Sequence, residues 1–118
     1  MSGDDAGVVP VELRAPEGAR VMEIEWSDGA TTRHPHAILR AFCPCAHCQG
    51  HQGPIQWAGD FEGASLEIAT IEEVGSYAVR IAWGDGHATG IYTWAHLRQL
   101  GSIAEKSLDE ARAARFGR

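Results

Sequence analysis

The sequence has little basic charge and no long hydrophobic run. Only 10 Lys and Arg residues stand against 16 Asp and Glu, which gives a formal net charge of −6. Surfaces that bind nucleic acid or anionic membranes need clustered Lys and Arg, so we expect neither partner. No apolar stretch approaches the roughly 20 residues of a membrane span, and no positively charged N-terminal segment begins a signal peptide. We therefore expect a cytoplasmic protein.

Cysteine is also scarce, and its few copies are clustered. All three fall between residues 43 and 48, in Cys-Pro-Cys-Ala-His-Cys. An odd number does not fit a disulfide framework. Three thiolates this close repel one another unless a cation lies between them, and zinc is held by tetrahedral sulfur and nitrogen ligands. Cys43, Cys45 and Cys48 therefore predict a zinc site with one corner still to be filled.

The spacing leaves the fourth ligand open between His51, His87 and water. His51 is near in sequence, and the flexible Gly50 before it would let it turn inward. His87 is remote, but it follows a predicted hairpin turn and would join two parts of the fold, as structural metal sites do. His47 lies inside the Cys-x-x-Cys segment and is expected to point away from the metal.

The cysteines have other readings that involve no zinc. They could be free, partly buried thiols, although three in six residues is a costly arrangement for packing alone. Cys45-Ala46-His47-Cys48 could act in redox chemistry, but such motifs belong at a helix N-terminus, and here we expect helix before the cysteines and loop after them. The same residues could also hold an iron–sulfur cluster.

The hydrophobic pattern predicts a small α+β domain of antiparallel β-hairpins with short helices, stapled by zinc. Residues 1–9 read as a flexible acidic tail, 10–101 as the folded domain and 102–118 as a C-terminal helix or tail. The predicted strands and helices are, in chain order, strands 11–14, 20–26 and 31–33, a helix opened by Pro35, a loop over 49–63, strands 66–74, 77–83 and 88–92, a helix capped by Thr93 and closed by Gly101, and a last helix from a Ser102–Glu105 capping box to about Ala114.

Two segments of the chain resemble each other. Ile-Glu-Trp-Ser-Asp-Gly at 24–29 precedes Leu39-Arg40, and Ile-Ala-Trp-Gly-Asp-Gly at 81–86 precedes Leu97-Arg98. His87 follows the second turn where Ala30 follows the first. Two copies are too few to establish a repeat fold, and Asp-Gly hairpins are common, so a true repeat and a coincidence both remain open.

Several other side chains are expected to be structural. Arg40 and Arg98 would hold carbonyls or turn carboxylates, and Asp28 and Asp85 are turn residues. The large aromatic residues are expected in the core rather than in a ligand cage, and three histidines are expected on the surface or on helix faces. These aromatic residues are Trp26, Trp83, Tyr92 and Trp94, and the histidines are His34, His36 and His96.

Three motifs together resemble the DUF971 family, the gamma-butyrobetaine hydroxylase-like N-terminal domain. They are Trp-Ser-Asp-Gly at 26–29, Leu-Arg-Ala-Phe-Cys-Pro-Cys-Ala-His-Cys at 39–48 and the segment from Val74 to Arg98 that contains Asp-Gly-His-Ala-Thr-Gly-Ile-Tyr. In the carnitine-biosynthesis hydroxylases this domain binds zinc through three cysteines and a histidine. The resemblance therefore implies Cys43, Cys45, Cys48 and His87 as the ligands and assigns residues 10–101 to this domain.

The resemblance does not carry the hydroxylase activity with it. Iron- and 2-oxoglutarate-dependent oxygenases use a two-His-one-carboxylate triad, usually begun by His-x-Asp or His-x-Glu, and no histidine here has Asp or Glu two residues on. We expect a non-enzymatic zinc module that binds a protein partner, with a homodimer also open. The alternative is an iron–sulfur assembly or carrier factor, which family relatives fused to iron–sulfur carrier ATPases suggest, or a thiol redox protein.

Overall fold

Two three-stranded antiparallel sheets, each followed by a helix, make up most of the structure. The computed structural model describes residues 7–50 and 53–117, and these fill about 33 × 31 × 29 Å. The strands are β1 (Pro10–Arg14), β2 (Val21–Trp26), β3 (Thr31–Pro35), β4 (Ile55–Gln56), β5 (Ile68–Val74), β6 (Ala78–Trp83), β7 (Gly90–Thr93) and β8 (Arg115–Phe116). The helices are α1 (His36–Ala41), α2 (Ala46–Gln49), α3 (Trp94–Ile103) and α4 (Leu108–Ala113), with a 3₁₀ helix at Gly63–Leu66.

The predicted α+β fold of antiparallel hairpins and short helices is confirmed. Strands β1-β2-β3 form one meander, β5-β6-β7 form another, and β4 pairs with β8. Each meander turns at an Asp-Gly pair whose glycine has positive φ, 90° at Gly29 and 94° at Gly86. Only glycine adopts this conformation without steric cost, so both turns lie where the Asp-Gly pairs predict them.

The two meanders have the same strand register. Leu13 of β1 pairs with Ile24 of β2, and Ile71 of β5 pairs with Ile81 of β6. Each first strand also carries an irregularity at the matching place, between Pro10 and Glu12 and between Ile68 and Thr70. We call β1-β2-β3-α1 the first unit and β5-β6-β7-α3 the second unit. Residues of the first unit correspond to those 57 or 58 positions later in the second.

The hydrogen bonds of the two units also correspond. The hairpin is closed by Trp26 N donating to Ala30 O and by Trp83 N donating to His87 O, both at 2.8 Å. The Asp side chain accepts from the amide two residues on, at 3.1 Å in each turn. Bonds at this level of detail favour a true internal repeat over a chance pair of hairpins.

The helix boundaries after residue 100 differ from the prediction. Ser102 lies inside α3, and the capping box is formed instead by Ser107 and Glu110 at the start of α4. Gly101 does not end α3. It is buried there, and a Cβ on it would lie 2.7 Å from Cβ of Thr32. Glycine at this position permits close helix–strand packing, which the sequence pattern does not distinguish from a helix stop.

Four short elements were not predicted: β4, β8, α2 and the 3₁₀ helix. Residues 49–63 contain β4, which pairs across the chain with β8 near the C-terminus. Ala46–Gln49 forms one helical turn within the cysteine segment and reaches only the first residue of the loop predicted over 49–63. Elements of two to four residues are too short to show the periodicity on which sequence prediction depends.

The core lies between the two units and contains three histidines as well as the aromatic residues. Trp26, Trp83 and Tyr92 are buried as expected, and Trp94 is half-buried. His34, His36 and His96 are at most 5 % exposed, so the expectation that they lie on accessible faces with no role was wrong. Each is tolerated in the core because it hydrogen-bonds a main-chain carbonyl: Leu97 O, Leu66 O and Phe42 O respectively.

Candidate metal centre

The four residues predicted as ligands come together at one point. Nε2 of His87 lies 3.3 Å from Sγ of Cys43, 3.6 Å from Sγ of Cys45 and 3.5 Å from Sγ of Cys48. The four ligand atoms all lie within 4.8 Å of one another. Zinc bonds of about 2.3 Å to sulfur and 2.0 Å to nitrogen at tetrahedral angles give N···S separations of about 3.5 Å. The cluster therefore has the dimensions of a tetrahedral Cys₃His site around one ion.

The three cysteines are presented by two short helices and the bend between them. Cys43 follows α1, and its amide donates to Arg40 O; Cys45 is the N-cap of α2, and the amide of Cys48 donates to Cys45 O. The side chain of Gln49 secures the bend by donating to Cys43 O and Gln56 O. These bonds fix the thiols to both α1 and β4.

A glycine makes room for the most buried thiol. Gly90 on β7 is buried, and a Cβ on it would lie 2.6 Å from Sγ of Cys43. Any larger residue at this position would push the sulfur out of its place. The sequence offers no signal for this function, because a glycine at a strand start reads only as part of a turn.

An ion pair fixes the hairpin turn that carries His87. Arg40 at the end of α1 donates through Nη1 and Nη2 to the two carboxylate oxygens of Asp85, at 3.2 and 3.0 Å. Asp85 in turn accepts from the amide of His87 at 3.1 Å and from the hydroxyl of Ser65 at 2.9 Å. The Arg40 hydrogen bonds, together with these two, hold the pKa of Asp85 well below its usual range. The expectation that Arg40 holds a turn carboxylate is confirmed.

The protonation equilibria of the ligands differ from one another. Burial raises the pKa of Cys43 far above its ordinary value. Burial would also raise the pKa of Cys45, but hydrogen bonds from Thr89 and from the backbone of Cys48 outweigh it and lower that pKa. Burial and the charge of Arg40 lower the pKa of His87, which favours the neutral imidazole that binds metals. A proton on the buried Cys43 must therefore be displaced before it can act as a ligand.

Among the remaining candidates that the structure describes, His47 does not join the cluster. His47 is exposed, and its ring centroid lies 6.1 Å from that of His87. His51 lies outside the described residues. Cys45 does cap a helical turn, as a redox motif would, but its sulfur shares His87 with two further cysteines. This arrangement is that of a metal site rather than of a dithiol pair.

The chain belongs to the family described as gamma-butyrobetaine hydroxylase-like, N-terminal, whose profile matches residues 13–98. A crystal structure of a DUF971 family protein of unknown function from Acidithiobacillus ferrooxidans is 37 % identical to it. That likeness covers 79 % of this chain and 92 % of the other, with a TM-score of 0.61. The predicted family membership is confirmed.

Two solution structures share the fold. One is 28 % identical and covers 99 % of this chain and 92 % of its own, with a TM-score of 0.68. The other is 23 % identical and covers 82 % and 75 %, with a TM-score of 0.63. No functionally curated protein matches the chain. Among the described residues, no helix combines the length and the apolar character that crossing a membrane requires.

Proposed function

We propose that this chain is a non-enzymatic accessory domain that is stapled by a structural zinc ion and presents a surface to a protein partner. The observation that carries the proposal is the near-regular set of N···S distances around His87, 3.3 to 3.6 Å. Three thiols and one imidazole are a common structural zinc set. A closed set of four protein ligands has no position for substrate, which favours a structural role over a catalytic one.

The connection that the ligands make also favours a structural role. Cys43 to Cys48 follow the first unit, whereas His87 belongs to the hairpin turn of the second unit. An ion held by all four would link segments about 40 residues apart in the chain. Metal binding of this kind contributes directly to the free energy of folding. Reduced thiols suit the cytoplasm, where we expect the protein to act.

The geometry disfavours the iron–sulfur alternative. Ligands of a cluster attach to different iron atoms and stand farther apart than the corners around a single ion. Here the four ligand atoms lie within 4.8 Å of one another. A thiol redox role would leave both the third cysteine and His87 without a purpose.

The test is elemental analysis and absorption spectroscopy of the full chain purified without oxygen. We expect one equivalent of zinc and a colourless solution, and a Cys43→Ser variant that retains much less zinc. A brown protein with stoichiometric iron and sulfide would favour the carrier alternative. A folded protein with no bound metal would overturn the structural role.

A further inference from the structure

The two units create two equivalent clefts, one on each side of the molecule. The first cleft, of about 650 Å³, lies between residues 9–13 and the second unit, where it is lined by Ile71, Glu73, Ser76, Val79 and Trp94. The second cleft, of about 600 Å³, lies between residues 67–69 and residues 15–20 and 36 of the first unit. A 58-residue correspondence relates part of the two linings: residues 9–11, 73, 76 and 94 of the first cleft match residues 67–69, 15, 18 and 36 of the second.

In the second cleft the chain bridges the two walls with its own polar groups. Arg20 donates to Gly63 O at 3.3 Å and approaches the carboxylate of Glu67 at 3.8 Å. Nδ1 of His36 lies 2.7 Å from Leu66 O. These contacts join the first unit to the segment that leads into β5, so polar groups of the chain itself cross-link the two walls of this cleft.

In the first cleft, apolar residues replace those bridging groups. The positions of Arg20, Glu67 and His36 correspond to Tyr77, Val9 and Trp94. The indole of Trp94 donates to Ser76 O within its own unit, and no hydrogen bond or ion pair joins the walls through the residues that the structure describes. Among the five large apolar side chains that are exposed in the described chain, two line this cleft, Val9 and Val11, and a third, Tyr77, directly follows the lining residue Ser76 in the chain.

The exposed edge of β1 adds a second feature. Within the described residues β1 pairs only with β2, so its outer edge offers main-chain donors and acceptors next to the apolar rim. An unprotected edge strand accepts an extended segment of another chain. Tyr and Trp are the side chains most enriched at protein interfaces, and Val11 is 65 % exposed.

The charges of the cleft select the kind of segment. Among the described residues, the charged side chains that line it are Glu12 and Glu73, and none is Arg or Lys. Glu12 pairs with Arg14 on its own strand, whereas Glu73 has no basic partner among the described residues. A second copy of the chain would bring these carboxylates together, with a net charge of −6 on each side. A segment that carries Lys or Arg is electrostatically complementary.

We infer that the first cleft binds an extended segment of a partner protein in which apolar residues alternate with Lys or Arg. The segment adds to the edge of β1, places its apolar side chains against Val9, Val11 and Trp94, and directs a basic side chain toward Glu73. This inference rests on the proposed function as an accessory domain and names the surface and the chemical class of its partner.

The test uses the zinc-loaded full chain and a capped peptide of alternating Val and Lys, with a Val–Glu peptide of the same length as its match. The Val–Lys peptide is expected to slow hydrogen exchange along β1 and to shift amide resonances of residues 9–13 and 71–76. Glu73→Lys should weaken binding about tenfold or more, because like charges then meet. Glu17→Lys, on the rim of the second cleft, should bind like the parent.

Other outcomes overturn the inference. Equal binding of both peptides removes the charge selectivity, and shifts confined to the second cleft place the surface elsewhere. Self-association that protects β1 as protein concentration rises identifies a second copy as the occupant. If the zinc-loaded chain binds neither peptide, this inference is wrong and the proposed structural zinc is unaffected. If a folded chain without zinc binds the Val–Lys peptide, the proposed structural zinc is wrong and this inference is unaffected.

Discussion

The first and second units have the same backbone plan, yet only one of the two equivalent positions has a Cys₃His cluster that could hold a metal ion. The interface between them is built from reciprocal contacts. Arg40 of the first unit binds Asp85 in the turn of the second at 3.0 Å, and Arg98 of the second binds Asp28 in the turn of the first at 3.0 Å. Each guanidinium also lies over the tryptophan that precedes that turn, at 5.7 Å in one case and 5.1 Å in the other. Each unit thus holds the hairpin of the other.

The strand–helix contacts are reciprocal as well. Tyr92 OH donates to Leu39 O at 2.7 Å, and Nε2 of His34 donates to Leu97 O at 2.8 Å. His34 and Tyr92 occupy equivalent strand positions, as do the two leucines on their helices. A phenol and an imidazole therefore make the same hydrogen bond to a leucine carbonyl. At this strand position the common fold requires a hydrogen-bond donor rather than one residue type.

The units differ at two positions where one unit has glycine and the other a larger residue. The position of Cys43 corresponds to Gly101, and the position of Gly90 corresponds to Thr32. In both units the glycine packs against the larger residue. A Cβ on Gly90 would lie 2.6 Å from Sγ of Cys43, and a Cβ on Gly101 would lie 2.7 Å from Cβ of Thr32. In the first contact the larger group is the thiol of Cys43, one of the proposed metal ligands, and in the second it is a strand threonine. The Nε1 of Trp26 donates to that threonine at 2.8 Å.

The two units also differ at the residue that follows the Asp-Gly turn. His87 stands where the first unit has Ala30, with the same backbone hydrogen bonds on either side. A metal centre therefore required a thiol at the end of one helix, the two further thiols that follow it and a histidine at one turn. The rest of the surrounding structure is common to both units.

The largest expected effect comes from removing the ligand that only the second unit carries. Structural zinc contributes on the order of 10 kcal/mol to folding in small peptides at neutral pH. His87→Ala should forfeit only part of this, because water can occupy the empty corner. The variant should hold zinc weakly, melt well below the parent and unfold rapidly when chelator is added, as measured by thermal melts with and without chelator.

His51→Ala is the matched control for that experiment. If His87 is the fourth ligand, His51→Ala should melt like the parent with and without chelator. Equal behaviour of the two variants, or a greater loss in His51→Ala, would return the site to a local loop of three cysteines and one nearby histidine.

A smaller effect should separate the two reciprocal ion pairs. Arg40 is buried, with 6 % of its side chain exposed, whereas Arg98 is 21 % exposed. Asp85→Asn leaves a buried guanidinium without its charged partner and should cost about 3 kcal/mol, the low end for a broken buried pair because Asp85 is itself partly exposed. Asp28→Asn should cost clearly less, as expected for a more accessible pair.

Zinc affinity distinguishes the two aspartate variants, Asp85→Asn and Asp28→Asn, more clearly than stability does. Residues that orient a metal ligand typically change metal affinity about 10- to 100-fold when mutated. Asp85 accepts from the amide of His87 and should show such a loss, whereas Asp28 accepts from the amide of Ala30 and should show none. Competition with a chromophoric chelator measures both. Equal zinc affinity in the two variants would mean that Asp85 only stabilises the fold.

The sequence predicted the parts of this comparison that depend on local pattern. The Asp-Gly turns, the alternating strands and the cysteine cluster all carry short-range signals, and the family resemblance supplied His87 when spacing alone left it open. The pairing of β4 with β8, the steric role of Gly90 and the crossed Arg–Asp pairs depend on residues more than 40 positions apart. No local rule indicates that the arginine of one unit binds the aspartate of the other.

The burial of the three histidines likewise could not be predicted from local sequence. A histidine in a strand or on a helix reads as a surface residue unless a carbonyl partner is known, and here the partners lie 30 to 63 residues away. Their burial could not be predicted from hydropathy, because it depends on three hydrogen bonds that only the packed units create.

An effect that is absent at neutral pH is a pH dependence that these histidines confer unequally on the two units. Burial lowers the pKa of His34, His36 and His96. Two of them belong to the first unit, where the second has Tyr92 and Trp94. An unfolded histidine titrates near 6.5, so below that pH the unfolded chain binds more protons than the native one. The free energy of unfolding should therefore be fully retained above about pH 6.5 and fall as pH drops toward the lowered native pKa values.

Each such histidine contributes at most about 1.4 kcal/mol per pH unit in that window. Urea unfolding at pH 7.5, 6.5 and 5.5, with zinc content measured at each pH, separates this slope from loss of metal. His34→Gln keeps an amide donor for Leu97 O but cannot titrate, so it should reduce the slope by about one proton. Its stability at pH 7.5 should change by only about 1 kcal/mol, the usual contribution of one hydrogen bond. A slope identical to that of the parent would mean that the pKa of His34 does not differ between the native and unfolded states, and that burial at this position, where the second unit has a neutral phenol, does not oppose protonation.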